Sequence, residues 1–222
     1  MKNLKFYTLA ALFFAAVTFV KAQDNDLGSG NEMKTLLGNS GDLGGYGALT
    51  VRYTEIDSRD GIMIGGRGGI VIGHNISFGL TGTGFFTNSQ YDPAIGEDAM
   101  IAGGYGGIYI EPILFPNQPV HLAFPITFGV GGIGYARHNY DNDHNWDNND
   151  WNDSNGEGFL LVEPGVEVEL NVMRYFRFAV GASYKVTSDI DLKYDDGLGN
   201  RIIPTNSLNG LTVGVTFKFG WF

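Results

Sequence analysis

The sequence predicts an all-β chain: a single eight-stranded antiparallel up-and-down transmembrane β-barrel. Three observations carry that prediction. The last stretch, Leu208 to Phe222, alternates with a period of two: Leu211, Val213, Val215, Phe217, Phe219 and Trp221 share one face, and Gly210, Thr212, Gly214, Thr216, Lys218 and Gly220 the other. Such alternation is a strand with one apolar and one small or polar side. The same pattern recurs through the chain from Gly44 onward. The connections between its segments alternate between tight turns and long polar loops, as in an up-and-down barrel that crosses a bilayer.

Taken in order, the first strand is expected over Gly44 to Ile56, with Leu49, Val51 and Tyr53 on one face and Thr50, Arg52 and Thr54 on the other. Asp57-Ser58-Arg59-Asp60-Gly61 reads as a turn by composition. The second strand, Ile62 to Gly73, carries Ile62, Ile64, Ile70 and Ile72 opposite Arg67, and a tight His74-Asn75 turn leads to the third, Ile76 to Phe86. Residues 87–98 form a polar loop before the fourth strand, about Ala99 to Leu114, and residues 115–119 a short connection. The fifth strand begins at Val120 with Leu122, Phe124, Ile126, Phe128 and Val130 in phase. Gly131-Gly132 then hands the apolar phase to Ile133 and Tyr135, which suggests a bulge. After the longest loop, Asn139 to Asn155, the sixth strand runs from Gly158 to Val172 and the seventh from Tyr175 to Thr187. A polar loop, Ser188 to Asn206, precedes the eighth. Strands of about 11 to 15 residues suit a tilted span, which needs about 9–11. Pro112 and Pro164 cannot donate to a ladder, so each is expected at an unpaired site or bulge.

The N-terminus has a different logic. A basic start (Met1-Lys2-Asn3-Leu4-Lys5), an apolar run from Phe6 to Val20 and Val20-Lys21-Ala22 make residues 1–22 a secretory signal peptide, cleaved after Ala22. Residues 23–43 read as a mobile leader and 44–222 as the barrel. No cysteine is present, so no disulfide or lipid-bearing cysteine is expected. Glycine, 34 of 222 residues, is about twice its usual share of about 7%. Residues 1–22 hold three of the 14 basic residues and no acidic ones, which leaves 11 against 24 and a net charge near −13. That balance argues against nucleic acid as a partner.

The aromatic end of the last strand (Phe217, Phe219, Trp221, Phe222) resembles the terminal strand of bacterial outer-membrane β-barrels, which their insertion machinery reads; Phe222 lies one residue out of phase. More broadly, four stretches carry a resemblance. They are Gly44-Gly45-Tyr46-Gly47-Ala48, Gly65-Gly66-Arg67-Gly68-Gly69, the segment from Ile110-Glu111-Pro112 to Phe124-Pro125, and the last strand. Through them Gly44–Phe222 is similar to the small outer-membrane β-barrel proteins of Bacteroidetes-type bacteria, with OmpA/OmpX-like architecture. The resemblance implies a fold, an outer-membrane location, lipid as solvent and the insertion machinery as a partner. It carries over no active site, cofactor or surface partner.

The polar faces hold the candidate site. Arg52, Arg67, Glu111, Glu163, Glu167, Glu169, Arg177, Lys185 and Lys218 all fall on the side that a barrel turns inward. The interior of an eight-stranded barrel is just wide enough to be filled by side chains, and buried charges must be paired and hydrogen-bonded. A network plugging the lumen is therefore expected, with Glu163, Glu167 and Glu169 paired to Arg177, Lys185 and Lys218. Because the sixth and seventh strands are neighbours, Arg177 is placed against Glu167 and Glu169. A second candidate is the longest loop, where Asp141, Asp143, Asp147 and Asp150 alternate with Asn, and Trp146 and Trp151 offer rings. Oxygen-rich side chains at alternate positions suit weak Ca²⁺ contact, and paired Trp suits glycan contact. As an EF-hand the loop fails, since Trp146 stands at position six and Asn152 at position twelve. His74 and His121 belong to one barrel end, His138 and His144 to the other, so no three converge on a metal. His138, Glu157 and Ser188 share an end, but their spacing fits a Ser/His/acid arrangement no better than chance. The expected function is a non-enzymatic outer-membrane surface protein without cofactor. Alternatives from other classes are a narrow pore for small solutes or ions, and a soluble lipocalin-like secreted binder.

Overall fold

Alternating segments this rich in β-branched and aromatic residues become strands because the branched side chains pack well on a pleated surface. The computed structural model describes residues 43–93, 97–137, 156–193 and 201–222. The proposed signal peptide, most of the leader and the Asp/Trp-rich loop therefore lie outside the described residues. Ten strand segments form one antiparallel sheet: β1 (Leu43–Ile56), β2 (Arg59–Ile72), β3 (Ile76–Thr87), β4 (Gln90–Asp92), β5 (Glu97–Leu114), β6 (Val120–Ala123), β7 (Ile126–Arg137), β8 (Gly156–Met173), β9 (Phe176–Thr187) and β10 (Gly210–Trp221). β1, β2, β3 and β5 pair in turn, β6 and β7 both lie between β5 and β8, and β8, β9 and β10 follow until β10 meets β1, Gly45 opposite Trp221 through Thr54 opposite Thr212. The sheet is thus closed, with no open edge to leave backbone groups unpaired.

Eight barrel strands account for these ten segments. β6 and β7 are two halves of the fifth expected strand, interrupted at Phe124-Pro125. β4 is a short hairpin arm that folds back on the start of β5 inside the expected 87–98 loop. The prolines sit where the ladders break. Pro112 and Pro125 flank the step from the β5–β7 to the β5–β6 register, and Pro164 lies in the gap between the Val162–Val186 and Gly165–Ser183 pairs. Proline has no N–H to give, so its cost is least there.

Two local expectations are corrected. The β1–β2 connection is a two-residue turn, Asp57-Ser58, with φ of 51° and 60°. That is the primed hairpin turn whose twist matches the strands, so Arg59-Asp60-Gly61 belongs to β2. No bulge occurs at Gly131-Gly132, because the β5–β7 and β7–β8 ladders run through it unbroken. The change of apolar phase is real and has another cause: Ile133 and Tyr135 point inward and are buried.

They belong to an apolar plug at the loop end of the barrel, formed with Ile56, Met63, Phe85, Ile101, Phe159 and Leu161. The β9–β10 connection completes it. Expected as a polar loop, it folds inward so that Ile190, Leu192, Ile203 and Leu208 are all buried in the same cluster. A Lys193–Arg201 bridge draws its two arms together.

Elsewhere the outside is apolar and the inside polar. Leu49, Val51, Ile64, Leu80, Ile108, Val130, Leu160, Val180, Leu211 and Trp221 are exposed large hydrophobics on the outer face. Glu111, Glu163, Glu169, Lys185 and Lys218 are buried. The interior is also crowded: a Cβ at Gly79 or Gly107, both inward-facing, would sit 2.0 or 2.1 Å from a neighbouring carbonyl oxygen. Glycine allows that approach of strand to strand.

Candidate functional site

The interior divides into layers along the strands. At the turn end, β10 delivers Lys218 and β5 delivers Glu111 from opposite walls, and the ammonium reaches the two carboxylate oxygens at 2.9 and 3.0 Å. Lys218 Nζ also donates to Glu169 and lies 3.5 Å from Glu167. The oxygens of Glu111, Glu167 and Glu169 all lie within 4.8 Å of one another, close enough for a metal's ligands. The chain's own ammonium sits among them instead. Arg67 from β2 closes the group, with Nη2 at 3.1 Å from Glu111 and 2.5 Å from Glu167. Tyr46 Oη and Ser77 Oγ each donate to Glu111 Oε1 at 3.0 Å, and Tyr109 Oη donates to Tyr46 Oη at 3.0 Å.

Beneath this group, His121 Nε2 lies 2.9 Å from Glu169 Oε2, and Arg177 Nη1 lies 3.6 Å from the same oxygen. Phe222 turns into the lumen. Its ring lies 4.0 Å below the Arg177 guanidinium carbon and 5.5 Å from the Tyr46 ring, while Trp221 packs outside against Tyr175. The out-of-phase Phe222 therefore floors the charge network, where a guanidinium over a ring face is favourable.

Toward the loop end lies a second group. Arg52 from β1 bonds Glu163 from β8 at 2.7 Å, Tyr105 Oη at 2.9 Å and Thr83 Oγ1 at 3.1 Å. Glu163 accepts further bonds from Tyr105 at 2.5 Å and Ser183 at 2.6 Å. Between the two groups is a cavity of about 50 Å³ lined by Arg52, Arg67, Glu163 and Glu167, with threonines including Thr50 and Thr127.

All nine expected lumen charges are brought inside, but their partners differ from expectation in three places. Glu163 pairs with Arg52 across the barrel, and not with Arg177, Lys185 or Lys218. Arg177 meets Glu169 alone, because Glu167 is taken by Arg67 and Lys218 at a higher level. Lys185 has no carboxylate within ion-pair distance among the described residues; its Nζ lies 3.5 Å from Met63 Sδ and 5.6 Å from the Phe85 ring centre.

Several members were missed. His121, Tyr46, Tyr105, Ser77 and Ser183 complete the hydrogen bonding, and their signal was available: each lies in phase with the inward residues of its own strand. The loop carboxylates and indoles at Asp141, Asp143, Trp146, Asp147, Asp150 and Trp151 lie outside the described residues, as does His138. Ser188 Oγ accepts from the Leu160 N–H at 3.1 Å, a strand-end contact. On the cap, Asp191 bonds Arg201 at 2.8 Å and Lys193 at 2.6 Å, and these two hydrogen-bonded cations hold its carboxyl below the usual carboxylate range.

No protein-family model matches the chain, and no curated protein does. Among solved structures it is similar to neisserial surface protein A, with 7% identity and a TM-score of 0.52 over 80% of this chain and 96% of that one. It also overlaps Ail, the attachment invasion locus protein of Yersinia pestis solved with the heparin analogue sucrose octasulfate, at 12% identity and a TM-score of 0.38 over 81% and 96%. The likeness to the neisserial protein is one of fold, and with the closed ring of eight barrel strands it makes this chain an eight-stranded antiparallel β-barrel.

Proposed function

We propose that the chain is a non-enzymatic outer-membrane protein, exported by a signal peptide at 1–22, with a charge-plugged lumen and acidic loops outside. Its role is structural or surface-contacting. The observation that carries this reading is the inversion of polarity. Exposed aliphatic and aromatic side chains cover the outer face, while Glu111, Glu169, Lys185 and Lys218 are shut inside. Water would not tolerate the first over so large an area, and hydrocarbon would not tolerate the second on the outside. A lipocalin-like binder needs the reverse, with aliphatic faces turned in.

Among the described residues the interior gives no continuous path. Phe222 and the Lys218 group fill one end and the apolar plug the other, which favours a surface role over a pore. The motif resemblance supports a kinship with the small barrels of Bacteroidetes-type bacteria. Its last strand is what insertion machinery would read, and outer-membrane lipid is its solvent. The 139–155 loop, with Asp141 to Trp151, is the contact surface offered to weak Ca²⁺ or glycan. The test is refolding of the mature protein in plain buffer and in detergent micelles, followed by heat-modifiable gel mobility. Folding is expected only with detergent; a folded, monodisperse species in plain buffer ends the membrane reading.

A further inference from the structure

The two charged groups of the lumen are not equally balanced. In the turn-end group, Lys218, Arg67 and Arg177 face Glu111, Glu167 and Glu169, three of each sign among the described residues. Among the described residues of the loop-end group, Arg52 and Lys185 share one carboxylate, Glu163, and Arg52 alone of the two touches it. Arg59 and Asp92 belong to the rim above, one of each sign. The loop-end group thus carries one positive charge more than its side chains neutralise. Lys185 is about 1% exposed, so water does not screen it directly. A buried charge without a counter-charge is expensive.

The cavity between the groups meets that need. At about 50 Å³ it holds a few spheres the size of water, each of which needs about 10–15 Å³ on the same measure. Two of its lining residues, Arg52 and Arg67, each have a buried Nε–H with no hydrogen-bond partner among the described residues. Buried donors are rarely left unmade. Glu163 and Glu167 also line the cavity, but their oxygens are already engaged by Arg52, Ser183, Tyr105, Arg67 and Thr216. The remaining lining is largely threonine hydroxyl and glycine. The positive excess of the loop-end group, to which Lys185 contributes from outside the cavity lining, the orphaned N–H donors and the small volume point to one kind of occupant.

We infer that the mid-lumen cavity is a binding site for one small monovalent anion of halide type, held between Arg52 and Arg67 and balancing Lys185. Water alone would satisfy the donors but leave the charge. A space of a few water-sized spheres suits a single halide better than a polyatomic anion.

The experiment uses the full mature barrel, folded in detergent. Thermal unfolding is followed in sodium bromide and in sodium gluconate at one ionic strength, gluconate being too large for the cavity, and crystals grown in bromide are measured at the bromine edge. The expected result is a saturable rise in melting temperature with bromide and an anomalous peak between Arg52 and Arg67. Equal melting in both salts, or a cavity without anomalous signal at saturating bromide, overturns the site. Lys185→Met removes the excess charge in an apolar setting and is expected to weaken the bromide response by about tenfold or more. An unchanged response in that variant overturns the charge-balancing role. Should it fail to fold, the anomalous map of the wild type still decides whether the anion is there.

Discussion

At the scale of single residues, two buried lysines at opposite ends of the charged lumen should behave oppositely. Lys218 touches three carboxylates, so Lys218→Met leaves Glu111, Glu167 and Glu169 short of a cation. Breaking a buried ion pair from one side costs about 3–5 kcal/mol, which should appear as a lower urea midpoint for the barrel refolded in lipid vesicles. Lys185 touches Met63 and Phe85, so the same change there, measured in gluconate, should leave the midpoint unchanged or raise it. A matched loss in both variants would show that Lys185 is paired after all. The sequence announced that each of the nine charges faces inward, because strand periodicity fixes the face of every residue. It did not announce who meets whom. Arg52 finds Glu163 from a strand on the far wall, and that encounter depends on stagger and tilt around a closed ring, which no single strand encodes.

At the scale of elements, the last strand and the cap carry the sharpest expectations. Val215 lies on the outer face, paired with Val51 and Val180 on either side. Val215→Arg should cost roughly 2–4 kcal/mol if it lies near mid-membrane, falling toward the interface, as read by urea titration in vesicles; Val215→Leu is the silent control. The cap should be local in its effects. Leu192→Ala removes buried side chain from the plug and should raise proteolysis of the 188–209 connection with little change in heat-modifiable mobility. Its surface clamp is pH-dependent. Asp191 has a depressed folded value, so the clamp's contribution is full above the ordinary Asp value of about 3.9 and is lost as pH falls through the lower folded one. Carboxyl NMR should show the Asp191 midpoint moving up in Arg201→Gln, and cap resistance to protease should be flat from pH 8 to 5. The ends of the eight strands were legible within a residue or two, except that the second begins three residues earlier, at Arg59, and the fifth is interrupted at Phe124-Pro125. The cap was not, because Ile190, Leu192, Ile203 and Leu208 are four apolar residues scattered through a polar stretch, too few and too far apart to show a period. The same cap explains why Gly131-Gly132 imitated a bulge: the inward face of β7 becomes apolar where it meets the plug.

At the scale of the whole molecule, the lengths of the connections predict which end faces out. Protease added to intact cells should nick the 139–155 loop and spare the Gly73–Asn75 turn; cleavage confined to the tight turns would reverse the topology. Planar-bilayer conductance should stay near background, since the Lys218 group and the apolar plug lie in series along the lumen. A steady ion-selective current would favour the pore. Architecture was legible at this scale because closure follows from alternating faces and connection lengths. Activity was not, because the surface loops carry no motif with an obligatory chemistry.

The meeting of Gly45 with Trp221 also sets an order of events in time. The two ends of the barrel wall are almost the whole described chain apart, and contacts so distant in sequence form late. Glu111 and Lys218 stand on different walls, as do Arg52 and Glu163, so these ion pairs come into being only as the ring shuts. They are a latch and not a nucleus. Weakening the latch should leave the rate of barrel formation nearly unchanged and hasten unfolding instead, the behaviour of contacts absent from the transition state. The charges that fill the barrel then matter most for how long it stays shut.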